Sequence, residues 1–122
     1  MDMNYNDLIL MVSNYIDEFK KQYLIELEKD NIDEDSGVHT VFSLVFNPVL
    51  FNAIRFNDEA LINKMFTFME AMETSGDIYV SEVLEFTILE ELADEFYESE
   101  ISKYMGPETK MAYEQISKYI KK

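Results

Sequence analysis

The stretch from Val38 to Phe56, VHTVFSLVFNPVLFNAIRF, leaves a folded chain few options. Its apolar residues Val38, Val41, Phe42, Leu44, Val45, Phe46, Val49, Leu50, Phe51, Ala53 and Ile54 leave no side of a helix consistently polar. An element that is apolar all round must be wrapped by others. The segment 41–46 alone reads equally as a buried strand, because a short apolar run does not separate helix from strand. Pro48 argues against a longer strand. Asn47 followed by Pro48 reads as a helix start, the amide capping free N–H groups and the proline standing where no donor is needed. Two short helices, or one kinked helix, are expected to meet at Asn47.

The rest of the chain reads as helices that cover this hub. Tyr5, Leu8, Ile9, Val12, Tyr15, Ile16, Phe19, Tyr23 and Leu27 recur at three and four residues, predicting one helix to about Glu28 with Asn4 or Asn6 as its cap. Residues 29–37, KDNIDEDSG, have no periodicity and end in Gly37, which marks a loop. After the hub, Asn57 is expected to cap a helix with Asp58 and Glu59 in its first turn and Leu61, Ile62, Met65, Phe66, Phe68, Met69 and Met72 on its inner face. Asp77 is expected to cap the next helix, Ile78 to Phe96, and Ser99 a short one ending at Gly106. Pro107 then opens a last helix carrying Ala112, Ile116, Tyr119 and Ile120, with Lys118, Lys121 and Lys122 at its end. The fold class is all-α: a single helical domain, residues 1–122, of helical pairs around a central apolar helix.

Charge is concentrated. Of 25 acidic and 10 basic side chains, residues 30–100 hold seventeen acids and only Arg55 and Lys64 as bases, so the entire net charge of −15 lies in one contiguous segment. Such a balance works against nucleic acid and against anionic membranes, and it favours basic partners. No cysteine is present, which excludes disulfides and thiolate chemistry and suits the cytoplasm. The opening MDMNYNDLILMV has two aspartates and no base before its apolar run, unlike a secretory leader.

The helix from residue 78 carries the candidate interface. At about 100° per residue, Val80, Val83, Leu84, Ile88, Leu92 and Phe96 form a core-facing arc, while Tyr79, Glu82, Phe86 and Glu90 lie together on another side. Aromatic rings among carboxylates suit a protein interface, the rings as desolvated anchors and the acids as register. Asp77, Tyr79, Glu82, Phe86, Glu90 and Asp94 are therefore the expected partner-binding residues; the competing reading packs Tyr79 and Phe86 under the following helices. Glu85 falls inside the apolar arc and is expected to be partly desolvated, with a raised pKa unless Arg55, Lys64 or a helix N-terminus meets it. No catalytic, cofactor-binding or metal-binding residue is assigned. His39 is the only histidine, so a di-iron site drawing one histidine from each of two helices cannot be built. A calcium loop with Gly37 at its sixth position would put Ile32 first and Ser43 twelfth, where carboxylates are required.

The C-terminal half resembles a family of small bacterial proteins found among the immunity proteins of polymorphic-toxin loci. The resemblance rests on FTFME at Phe66 to Glu70, Gly76 with Asp77, ILEEL at Ile88 to Leu92, and YMGPET at Tyr104 to Thr109, and covers roughly residues 60–120. It implies an all-helical fold of antiparallel pairs, with HEAT-like repeats as one such arrangement, and a role in neutralising a toxin made by the same cell. The expected function is thus that of a non-enzymatic acidic protein that occludes a basic surface of a cognate toxin, a nuclease being one such target. The alternative is a helical adaptor or regulatory module for another basic protein.

Overall fold

Helix is the only regular structure among the described residues of the computed structural model, which describes residues 2–119. After a 3-10 turn at Tyr5–Asp7 come α1, Leu8–Tyr15, and α2, Asp17–Glu28. The hub is α3, residues 38–55, and it is followed by α4, Glu59–Glu73, and α5, residues 78–95. The chain closes with α6, Glu98–Ile101, a 3-10 turn at Ser102–Tyr104, and α7, Pro107–Ser117. Their buried apolar side chains join in one core. Among the described residues no helix is long and apolar enough to cross a membrane.

The hub is a single continuous helix. Its turn Phe42–Phe46 is a wide π turn, in which the Asn47 N–H reaches back to the Phe42 carbonyl. Pro48 stands just beyond it. A proline inside an α-helix lacks its donor and presses its ring on the preceding turn, and a widened turn relieves both. Asn47 is therefore not the expected cap: its backbone is helical and its side chain is buried. Phe42 and Phe46 stack at 5.1 Å between ring centres, and Phe19 of α2 lies 5.9 and 6.4 Å from them.

Three further boundaries differ from expectation. The first stripe is broken at Ile16, whose extended backbone separates α1 from α2, after the weak helix formers Ser13, Asn14 and Tyr15. The stripe nonetheless stays inward, with Leu8, Val12, Ile16 and Phe19 buried. Asn57 ends α3 rather than starting α4. It adopts the left-handed conformation at φ 57°, which asparagine tolerates, and the Asp58 N–H donates to the Ala53 carbonyl at 2.9 Å. Asp58 is then the cap of α4, accepting from the Leu61 N–H. Tyr97, not Ser99, precedes α6, and its N–H donates to Glu100 Oε1 at 3.2 Å.

Other expectations hold. Asn4 caps the first turn, α2 ends at Glu28, Pro107 opens α7, and all seven inner-face residues of α4 are buried. Ala112 and Ile116 pack against the core, whereas Tyr119 is exposed; Ile120, Lys121 and Lys122 lie outside the described residues.

Candidate functional site

The central pair of helices, α3 and α5, runs side by side in the same direction. His39 meets Thr87, Ser43 meets Glu91 and Arg55 meets Glu95, so partners rise together along both helices. The rungs have a sequence origin. His39, Ser43 and Asn47 recur every four residues through a mainly apolar helix, and Thr87, Glu91 and Glu95 do the same on α5. Residues four apart share a helix face, so each helix offers one polar line to the other. His39 Nδ1 and Thr87 Oγ1 share a hydrogen bond at 2.6 Å. The Ser43 hydroxyl donates to Glu91 Oε2 at 3.1 Å. Asn47 Nδ2 donates to the Thr87 carbonyl at 3.1 Å and to Glu91 Oε2, while its Oδ1 is buried without a partner.

Both helices have a π turn at this junction, Phe42–Phe46 on α3 and Val83–Leu89 on α5. Single π turns inside α-helices are frequent at functional sites, because they re-aim side chains. Here the result is a groove of about 550 Å³ lined by His39, Thr40 and Ser43 on one wall and Phe86, Glu90 and Asp94 on the other, with Thr87 and Glu91 joining the walls. Phe86 is 55% exposed. Glu90 and Asp94 are exposed and take no hydrogen bond or ion pair from the described residues.

The two bases of the acidic segment are engaged elsewhere. Arg55 pairs with Glu95 and lies over the Phe96 ring at 5.4 Å, and Lys64 lies over Tyr15 at 5.2 Å. Neither lines the groove.

The structure divides the six expected interface residues. Phe86, Glu90 and Asp94 line the groove together. Tyr79, 62% exposed, lies in a separate cleft with Asp77, its ring 5.9 Å from that of Tyr5. Glu82 is half-buried and lines neither. The division follows from the π turn, since a helix that is wider over residues 83–89 no longer advances by the angle that put Tyr79, Glu82 and Phe86 on one side. Tyr79 and Phe86 are open to solvent, not packed under later helices.

Asp77 is a joint between segments. Its carboxylate accepts from the N–H groups of Tyr5, Tyr79 and Val80, and these bonds, the one from Tyr5 foremost, hold its pKa below the usual aspartate value. Such a group stabilises the fold above its unfolded pKa, and the contribution is lost as pH falls through its folded pKa.

Glu85 is half-buried, as its place in the arc implies, but among the described residues no base pairs with it. It shares a cleft with Glu73 of α4, whose pKa is raised to about 8, first of all by burial. Glu73 gave no sequence signal beyond its charge. Among the described residues no group of three or more acids or histidines is placed to hold a metal ion. Ser43 is tied to a carboxylate and His39 to a threonine, so the groove offers a ring, carboxylates and hydrogen-bonding groups to a cation.

The rungs themselves are testable. Asn47→Ala removes both donors to α5 from a buried position, and stability is expected to fall by about 1–3 kcal/mol in urea denaturation. A loss below about 0.5 kcal/mol, the range of an ordinary surface change, would mean that Asn47 does not hold α3 to α5.

Fold and groove together define a small all-helical protein with an acidic, aromatic-flanked surface groove. The chain belongs to the family described as Domain of unknown function (DUF7674), which it matches over residues 10–121, hub included. No curated protein and no solved structure matches it.

Proposed function

We propose that this is a non-enzymatic binding protein that docks a basic protein through the α3–α5 groove, and that its partner is a cognate bacterial toxin whose basic surface it occludes in the cytoplasm. The observation that carries the reading is the line Phe86, Glu90, Asp94: a half-exposed ring followed at four-residue steps by two exposed carboxylates that take no partner from the described residues. An arginine fits that line best, its guanidinium stacking on the ring and bonding carboxylates through its planar edge. The net charge of −15 draws such a partner in from a distance and raises the association rate. A nuclease, whose cleft must hold polyphosphate, is the kind of toxin this charge would suit. The toxin assignment itself rests on the resemblance of residues 60–120. A helical adaptor for another basic protein would use the same groove, and a toxin gene beside this one would separate the two readings.

The test is capture of partners from native lysate at low salt with elution at high salt, followed by binding measurements on variants. One basic toxin domain encoded next to this gene is the expected partner; several unrelated basic proteins would remove the toxin reading. Glu90→Lys combined with Asp94→Lys is expected to weaken binding by about tenfold or more, with unchanged helical circular dichroism. Glu82→Lys, which lies off the groove, should cost far less. Equal losses from the two would take the groove out of the interface.

A further inference from the structure

The end of α4, the middle of α5 and the first turns of α7 line a further open cleft, about 400 Å³, whose walls include Glu73, Glu85, Glu108, Met111 and Gln115. Glu73 Oε2 is buried there, and no donor reaches it. Glu85 lines the same cleft. Two ionised carboxylates are both acceptors, so a hydrogen bond between them requires a proton. Among the described residues the charged groups facing Glu73 are Glu70 on its own helix, Glu85 on α5 and Glu108 on α7, all acidic. Glu70 has its own donors: it accepts from the N–H groups of Glu108 and Thr109 and from the Thr109 hydroxyl. Two carboxylates one turn apart on α4 thus have opposite needs, Glu70 as an ionised acceptor and Glu73 as a protonated donor.

We infer that Glu73 and Glu85 share a single proton, that this proton closes the cleft between α4, α5 and α7, and that its loss loosens α7. The inference is independent of any partner. Burial first, then the bond to Glu85 and the negative charges of Glu85, Glu108 and Glu70, push Glu73 up to about 8. The sign follows from linkage. Between the ordinary glutamate value of 4.5 and about 8 the folded protein holds a proton that the unfolded chain has released. Stability from this pair is therefore full below 4.5 and is lost as pH rises through about 8.

The experiment uses the whole protein. Side-chain carboxyl carbons of Glu73 and Glu85 are followed by NMR from pH 5 to 10, together with amide-exchange protection factors along α7. The expected result is a titration step near pH 8 at the Glu73 carboxyl, sensed as a chemical-shift change at Glu85, with α7 protection falling about tenfold, one pKa unit's worth, through the same step. Glu73→Gln, whose amide can donate to Glu85 without titrating, should abolish the step and keep α7 protected at pH 9. If that variant does not fold, the wild-type titration decides alone. Ordinary titration of both carboxyls near pH 4 to 5, or a step near 8 that leaves α7 protection unchanged, overturns the proposal.

Discussion

Phe46→Ala is expected to lower stability by about 3–5 kcal/mol, the usual cost of emptying a large aromatic site in a packed core. Phe46 is fully buried, stacks on Phe42 and lies close to Phe19. The cavity cannot close easily, because Phe46 ends the π turn just before Pro48, where the backbone is already committed. A whole domain is stable by only about 5–15 kcal/mol, so thermal denaturation should show a drop in Tm of about 10 °C or more. Phe56→Ala is the internal control. That ring ends the same helix but is 81% exposed, and its loss should stay within about 0.5 kcal/mol. Equal losses at the two positions would mean that α3 is not the centre of the fold.

The hub was legible because its apolar residues surround a helix, and burial follows from that alone. The inner faces of α4 and α5 were legible for the same reason. What the pattern could not give is the width of a helical turn. Periodicity at about 3.6 residues per turn assumes an α-helix throughout, and over Phe42–Phe46 and Val83–Leu89 that assumption fails. The consequence is local: the core arc of α5 survives, while Tyr79 and Glu82 are separated from Phe86.

The groove was half legible. Phe86, Glu90 and Asp94 follow from a search for rings among acids, but the opposite wall does not, because His39, Thr40 and Ser43 sit within a stretch dominated by its apolar character. The four-residue spacing of His39, Ser43 and Asn47 was a usable signal, once matched with Thr87 and Glu91 on another helix. Caps were read less well than faces. Asn57 and Asp58 are both good terminal residues, and only the backbone decides that the first closes α3 while the second opens α4.

Glu70→Ala should cost about 2–3 kcal/mol in urea denaturation, despite the side chain being only half-buried. Glu70 supplies from α4 the cap that α7 lacks. Its Oε1 accepts the Thr109 N–H and hydroxyl, both at 2.8 Å, and its Oε2 accepts the Glu108 N–H at 3.1 Å. Without it, Thr109 keeps two buried donors and no acceptor for either, since the residue is fully buried. Glu70→Gln retains one acceptor oxygen and should lose less. Gly106→Ala should act in the same direction, because a Cβ there would stand 2.5 Å from the Glu70 carboxyl group and push it off α7. A loss below about 0.5 kcal/mol for Glu70→Ala would show that α7 docks by apolar contact alone. The contact also gives two stretches of the sequence a structural role. FTFME and YMGPET, far apart in the chain, meet here, Glu70 on Thr109 and Phe66 on Tyr104 with ring centres 5.8 Å apart. These two stretches hold α4 to the C-terminal part of the chain.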